Sequence, residues 1–126
     1  MHRLSLSILP GRLAICRLPP ESAIPAPPAG GGLWAVTRTA DELSLVLPES
    51  ARHPDWQAET GWRTFRVDGT LDFGLTGVMA SLADPLAAAG VSLFAISTYD
   101  TDYILVREKD LDRATAAFVA AGHTVR

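Results

Sequence analysis

The residues best suited to chemistry form one continuous polar run, Ser97-Thr-Tyr-Asp-Thr-Asp102, in which every side chain carries a hydroxyl or a carboxylate. The flanking runs, Val91–Ser97 and Tyr103–Val106, are rich in β-branched and aromatic residues, which predicts a β-hairpin with the polar run at its connection. Loops often carry function, and oxygen acceptors clustered at the end of a sheet are able to hold a small cation. A structural turn needs only one Asp or Ser for its local hydrogen bonds, so that alternative stays open.

Other candidates for catalysis or metal binding are weak. The three histidines, His2, His53 and His123, are isolated, and none has the spacing of a metal-ligand pair. The sequence has no glycine-rich phosphate loop and no nucleophile elbow. Asp100 and Asp102 lie on a hairpin expected to be exposed, which lacks the burial that separates the pKa values of an acid and a base. We therefore expect no catalytic residue, no metal ligand and no cofactor.

The composition excludes further classes. The chain has 126 residues, of which 48% are hydrophobic and 20% charged, as expected for one domain or two very small fused ones. A net charge of -3 with scattered basic residues argues against nucleic-acid binding. No apolar run approaches the roughly 18 residues of a membrane span, and no signal peptide is recognisable, so we expect a cytoplasmic protein without a membrane partner. Cys16, in the apolar run Leu13–Leu18, reads as a small packed hydrophobe rather than a nucleophile.

The first half of the chain predicts strands and no long helix. Residues 4–9 alternate with period two, Pro10-Gly11 marks a turn, and residues 12–18 are extended, so the chain opens with a predicted hairpin. Residues 19–32 are dominated by Pro and Gly, which predicts a flexible loop. Further strands are predicted at 33–38 and 43–47, followed by a polar, Pro-broken stretch from Ser50 to Thr60.

The second half predicts strand, helix, hairpin, helix and strand in succession. After a strand at Trp62–Val67, apolar residues recur at intervals of three and four, which predicts one helical packing face of Leu75, Val78, Met79, Leu82 and Leu86. Pro85 inside this helix predicts a kink near Ser81 or two helical pieces. After the hairpin, a last helix capped by Asp110 presents Leu111, Ala114, Thr115, Phe118 and Val119, and residues 123–126 are extended.

This order, βαββαβ, predicts an α+β, ferredoxin-like unit in which two helices cover one face of a four-stranded antiparallel sheet. The first half reads as a stunted copy without helices. We therefore predict two tandem units packed into one compact body, a degenerate unit at residues 1–60 and a complete one at 61–126. The strand at 91–97 has apolar residues on both faces, so the first unit or a second chain in a homodimer is expected to cover the face without helices.

Four segments in this order are similar to those of a known family. They are Ile15-Cys-Arg-Leu18, Thr37-Arg-Thr-Ala-Asp-Glu-Leu-Ser-Leu-Val46, Leu71-Asp-Phe-Gly-Leu-Thr-Gly77 and Ile96-Ser-Thr-Tyr-Asp-Thr-Asp102. The chain resembles the tandem ACT-domain proteins related to the CASTOR-type amino-acid sensors. The resemblance implies two ACT-like units and allosteric binding of a free amino acid. The Pro/Gly-rich segment at residues 25–32 departs from the family pattern.

An amino acid requires N–H donors for its carboxylate and oxygen acceptors for its ammonium group. Residues 74–78 open a helix and contain two glycines, so their amides suit the carboxylate, while Asp102 suits the ammonium. The glycines equally permit a tight helix entry without any ligand, with Asp72 capping the helix or anchoring the turn. Together with the resemblance, this indicates the ligand-binding residues Leu75, Thr76, Gly77, Val78, Thr98, Tyr99 and Asp102, with Ser44 on a strand edge of the other unit.

Two functions follow from the sequence. The favoured one is an amino-acid-binding ACT protein that acts as an allosteric sensor, with a regulated protein partner or a homodimer. The alternative is a ligand-free interaction or dimerisation module, because the doubly apolar strand serves assembly whether or not a ligand binds. A lined cavity beside Asp102 favours the first and a filled one the second.

Overall fold

The computed structural model describes residues 2–126. Its strands and helices are β1 (Ser5–Leu18), β2 (Ala35–Arg38), β3 (Leu43–Pro48), β4 (Gln57–Val67), α1 (Val78–Ala88), β5 (Phe94–Ser97), β6 (Asp102–Arg107), α2 (Leu111–Ala120) and β7 (Thr124–Val125). No helix within the described residues is long and apolar enough to cross a bilayer.

The chain forms two compact units. The first unit contains the described residues up to Pro10 together with Arg63–Arg126, and the second contains Gly11–Trp62. Strands β1 and β4 are long enough to contribute residues to both. The first unit is thus discontinuous along the chain, whereas the sequence indicated continuous units. The assignment of ACT-like units to 1–60 and 61–126 stays a prediction.

The first unit contains the predicted βαββαβ order, from β4 to β7. The strand order in its sheet is β7-β1-β4-β6-β5, so the N-terminal half of β1 is inserted between β4 and β7. Strands β5 and β6 are antiparallel with Ser97 opposite Asp102, as predicted for the hairpin. Strands β1 and β7 are parallel, with Leu6 opposite Val125. The sheet therefore has five strands instead of the expected four, because β1 supplies an additional one. The pair of β1 and β7 is parallel, whereas only antiparallel pairs were expected.

Both helices pack on one face of this sheet, as their periodicity predicts. The core contains Val78, Leu82 and Leu86 of α1 and Ala114 and Phe118 of α2. The rings of Phe65 and Phe118 meet edge to face with centroids 5.0 Å apart, a favourable geometry for an aromatic pair. Two residues that were predicted on the packing faces of the helices are exposed instead. Leu75 precedes α1 and is 45% exposed, and Val119 is 55% exposed.

The predicted N-terminal hairpin is wrong, since residues 5–18 form one continuous strand. Pro10 and Gly11 lie in its middle rather than at a reversal. Gly11 has φ 85° with open space around its α-carbon, a conformation that glycine adopts without steric penalty. The strand thus passes a local irregularity and continues, because its two halves pair with different strands.

The second unit is built on the antiparallel order β2-β3-β1. Residue Leu45 at its centre lies opposite Cys16 on one side and Val36 on the other. Its described residues contain no α-helix, only a 3-10 turn at Glu49–Ala51, as the sequence predicts for this part of the chain. Cys16 is 1% exposed within the core of this unit. Burial raises the pKa of its thiol despite the opposing charge of Arg52, which suits its predicted role as a packed hydrophobe.

Helix α1 runs as a single helix through Pro85, so the two helical pieces that Pro85 suggested are not found. The imidazole of His123 contacts the carbonyl oxygen of Ser81. In a regular helix this oxygen would accept the N–H of residue 85, but proline has no N–H group. The imidazole thus replaces the helical hydrogen bond that is missing at Pro85, and the helix continues as one piece.

Candidate functional site

The polar hairpin turn and the segment that leads into α1 line a common cavity of about 160 Å³ in the first unit. One wall comes from Leu71, Asp72, Phe73, Leu75 and Val78, and the other from the six residues Ser97–Asp102. The structure therefore brings together the two segments that the sequence singled out separately.

One hydrogen bond joins these walls, and a second joins the hairpin turn to the end of β4. The Leu71 N–H donates to the carbonyl oxygen of Asp100 at 2.7 Å. The hydroxyl of Thr101, which is buried, donates to the carbonyl oxygen of Val67, also at 2.7 Å. These bonds hold the hairpin turn against the chain segment that leads from β4 towards α1.

Within the hairpin turn, several hydroxyl groups have structural partners. Ser97 Oγ donates to Asp102 Oδ1 at 2.6 Å. Thr98 Oγ1 donates to the Thr101 carbonyl oxygen at 3.0 Å and accepts the Thr101 N–H at 3.3 Å. The hydroxyl of Thr98 therefore has the structural role that the sequence also allowed for this turn. The second carboxylate oxygen of Asp102 remains as an acceptor.

The segment before α1 is a tight turn anchored by Asp72. Its Oδ1 accepts the Gly74 N–H at 2.9 Å, and its carbonyl oxygen accepts the Leu75 N–H at 3.0 Å. Asp72 therefore anchors the turn, which was one of its two predicted structural roles. Gly77 is the N-cap of α1 with φ 80°, in the left-handed region that favours glycine. Helix α1 begins at Val78, whose N–H belongs to the first turn and has no acceptor within the helix.

The cavity lining is acidic. Asp72, Asp100 and Asp102 line it, and no basic side chain is among the described lining residues. No group of three or more His, Cys, Asp or Glu side chains within residues 2–126 has a geometry that could hold a metal ion. The lining therefore offers carboxylate oxygens as hydrogen-bond acceptors.

An exposed aromatic pair borders the cavity. Phe73 and Tyr99 are 74% and 78% exposed, and their ring centroids are 4.7 Å apart at an interplanar angle of 65°. Phe73 was not predicted from the sequence as a site residue. Its only local signal is an aromatic residue between Asp72 and Gly74, a turn in which no helical or strand face is available to bury it.

Among the residues indicated from the sequence, Leu75, Val78, Thr98, Tyr99 and Asp102 line this cavity. Thr76 and Gly77 lie between Leu75 and Val78 without lining it. The carbonyl oxygen of Thr76 contacts His2 Nε2 at 2.6 Å, and Gly77 lines a separate groove between α1 and α2. Their proposed ligand contacts stay predictions.

Ser44 lies on β3 in the second unit, opposite Arg17 on one side and Thr37 on the other. β3 is therefore an inner strand with pairing on both sides, and the strand edge expected at Ser44 belongs to β2 instead. Its role in ligand binding stays a prediction.

Comparison with known proteins places this geometry in a family. The model of the ACT domain matches residues 57–119, and a second family model, described as an N-terminal domain, matches residues 11–58. A crystal structure of a protein from Agrobacterium tumefaciens is 38% identical, with a TM-score of 0.93, and the match covers 100% of this chain and 94% of that one.

Two further similarities extend to larger proteins. The rat cytosolic arginine sensor for mTORC1 subunit 1 is 43% identical over 88 residues, which are 62% of this chain and 27% of the sensor. The chain therefore spans about a quarter of that relative's length. The aspartate kinase of Clostridium acetobutylicum has a TM-score of 0.66 at 10% identity, covering 88% of this chain and 32% of the kinase; this shows a shared fold. Since the ACT-domain model matches half of the sequence, the chain belongs to the ACT-domain family.

Proposed function

We propose that this protein binds a free amino acid in the cavity between the hairpin turn and the start of α1, and that it acts as a regulatory ACT-domain protein rather than an enzyme. The observation that carries the proposal is the pairing of carboxylates and a helix N-terminus around one cavity. An amino acid requires both groups, because its ammonium and its carboxylate are attached to the same carbon atom.

In the proposed complex, the ligand's carboxylate approaches the N–H of Val78, the first residue of α1 and part of the cavity lining. Thr76 and Gly77 are proposed to contribute their N–H groups from the adjoining turn. The positive end of the helix dipole favours an anion there. Asp102 accepts a hydrogen bond from the ligand's ammonium or from a basic side-chain head. Tyr99 and Leu75 contact the aliphatic part of the ligand, and Thr98 contributes through the turn that it stabilises.

The relatives support the class of ligand. One of them is named as an arginine sensor, and the acidic lining of the cavity agrees with a cationic amino acid. The cavity volume of about 160 Å³ suits a small ligand, and the bordering Phe73 and Tyr99 add aromatic surface next to a cationic group, a favourable arrangement.

The finer organisation is also a proposal. The degenerate ACT-like unit is inferred at residues 1–60, of which 11–58 match the N-terminal domain model, in tandem with the complete unit at 61–126. A regulated protein or a second copy of the chain is the inferred recipient of the allosteric signal.

A ligand-free interaction or dimerisation module is the second candidate. Two surfaces favour it, the exposed Phe73, Leu75 and Tyr99 and the groove of about 730 Å³ between α1 and α2, which is lined mainly by alanines such as Ala80 and Ala117. Exposed apolar surface of this kind commonly marks a protein interface.

A thermal-shift screen against the twenty amino acids, followed by calorimetric titration of each hit, tests the proposal. We expect one amino acid, or a few related ones, to raise the melting temperature in a concentration-dependent manner. Absence of a shift with every amino acid at millimolar concentration, together with a dimer in analytical ultracentrifugation, would support the assembly module instead.

A further inference from the structure

A second cavity in the first unit has basic residues in its lining, which the first cavity lacks. It measures about 620 Å³, and the side chains that matter at its surface are Ser7, Arg66, Asp68, Tyr103 and Arg126. It shares Asp100 and Thr101 with the acidic cavity, but two guanidinium groups line it and none lines the other.

Asp68 lies at the centre of this cluster. Its Oδ1 accepts hydrogen bonds from Arg66 Nη2 at 3.1 Å, and its Oδ2 from Arg126 Nη2 at 2.7 Å. Ser7 Oγ lies 2.8 and 2.9 Å from the same two oxygens. The triad of Arg66, Asp68 and Arg126 carries a net charge of +1, and Asp100, which also lines the cavity, balances it.

The Asp68 carboxylate is held in its charged form. The hydrogen bonds from Arg126 and then Ser7 lower its pKa, burial raises it less, and Arg66 lowers it further. Asp68 therefore serves as a fixed anchor that orients both guanidinium groups.

The main chain also positions Arg126. Its N–H donates to the Leu6 carbonyl oxygen, and its own carbonyl oxygen accepts the Ile8 N–H, both at 2.9 Å. Arg66 is held within β4. Each guanidinium has five N–H donors, of which Asp68 engages Nε and Nη2 of Arg66 and Nη2 of Arg126. The remaining donors are directed by a rigid backbone rather than by flexible loops.

We propose that this cavity is a second binding site, beyond the amino-acid site, for a small oxyanion such as a carboxylate or phosphate group. The guanidinium groups of Arg66 and Arg126 bind the oxyanion, and the hydroxyl of Tyr103 is a further donor at the cavity surface. Arginine forks match the geometry of both anions.

Calorimetric titration of the full chain with sodium phosphate and with sodium succinate, each against sodium chloride of equal ionic strength, tests the site. We expect saturable heat from at least one of the two, and the active one identifies the source as phosphate or carboxylate. In Arg126→Gln the affinity should fall by about tenfold or more, the loss expected for one charge-assisted hydrogen bond.

Arg113→Gln is the matched control. Arg113 is also exposed and pairs with one aspartate, Asp110, at 2.9 Å, but it lies on α2 away from the cavity. Its oxyanion affinity should be unchanged. If Arg126→Gln does not fold, as judged by circular dichroism, Arg66→Lys replaces it, since Lys keeps the charge but lacks the fork. The proposal is overturned if the wild type binds neither anion at millimolar concentration, or if the cavity variant and the control lose affinity equally.

The same variants separate this site from the amino-acid site. Amino-acid binding that is lost in Asp102→Ala and retained in Arg126→Gln supports both assignments. Amino-acid binding that is lost only in Arg126→Gln means that the ligand's carboxylate binds here, which overturns the first site and supports the second.

Discussion

His123 Nε2 donates a hydrogen bond to the carbonyl oxygen of Ser81, with 2.8 Å between the two atoms. That carbonyl lies four residues before Pro85 and receives no helical N–H. On the other side of the ring, Nδ1 accepts the Leu4 N–H at 3.0 Å, so Nδ1 is the unprotonated nitrogen and Nε2 carries the proton. One buried imidazole thus donates a hydrogen bond to helix α1 and accepts one from the N-terminal segment.

Replacing His123 by Ala should destabilise the fold by about 2–4 kcal/mol, because two buried backbone groups lose their partner. Urea unfolding measures this change. In the His123→Ala background, Pro85→Ala restores an N–H for Ser81 and should recover about 1 kcal/mol. A double-mutant cycle isolates this coupling. Strict additivity of the two substitutions would contradict the role assigned to His123.

Asp102→Ala should weaken amino-acid binding about tenfold to a hundredfold, or about 1.5–3 kcal/mol, through the loss of one charge-assisted hydrogen bond. Fold stability should change little, because the bond that Asp102 accepts from Ser97 lies on an exposed turn. Calorimetric titration measures the affinity. Asp112→Ala, which removes an exposed carboxylate from α2, is the control and should bind normally. Full affinity in Asp102→Ala would remove Asp102 from the site.

Asp68 should make stability depend on pH in the acid range. Its pKa is lowered in the folded protein from an ordinary value of 3.8, so its contribution is complete above that value and is lost as the pH falls through the lower, folded value. We expect Asp68→Asn to be less stable than wild type at about pH 7 and to lose less stability on acidification to about pH 3. Urea midpoints at both pH values, with Asp112→Asn as the control, provide the measurement. An equal loss of stability on acidification in wild type and Asp68→Asn would refute this prediction.

A chain that begins at Gly61 should not fold on its own. It lacks β1, which supplies the fully buried Leu6 to the core of the first unit. It also lacks the preceding Leu4, whose carbonyl oxygen accepts the Thr124 N–H. Removing one such leucine side chain alone typically costs about 2–5 kcal/mol, and here a whole strand is absent. A dispersed two-dimensional NMR spectrum with cooperative melting of the shortened chain would contradict this prediction.

The sequence alone was sufficient for the features that depend on local pattern. The intervals of Val78, Leu82 and Leu86 predicted which face of α1 is buried, and the two glycines of residues 74–78 marked the region in which the helix begins. The polar run that ends at Asp102 marked a hairpin turn. These features follow from helix and strand periodicity and from glycine's access to positive φ. Both are properties of residues close together in the sequence.

Only the tertiary structure decided which strands pair and which side chains meet. Pro10-Gly11 has the local chemistry of a turn, yet β1 continues through it because its two halves find partners far along the chain, β7 for one half and β3 for the other. Arg66, Asp68 and Arg126 form a cluster for the same reason, since Arg126 is 58 residues from Asp68 and reaches it only through the pairing of β1 and β7. Strand pairing is determined by the burial of the whole sheet, and a hydrophobic pattern of period two indicates a strand without naming its neighbour.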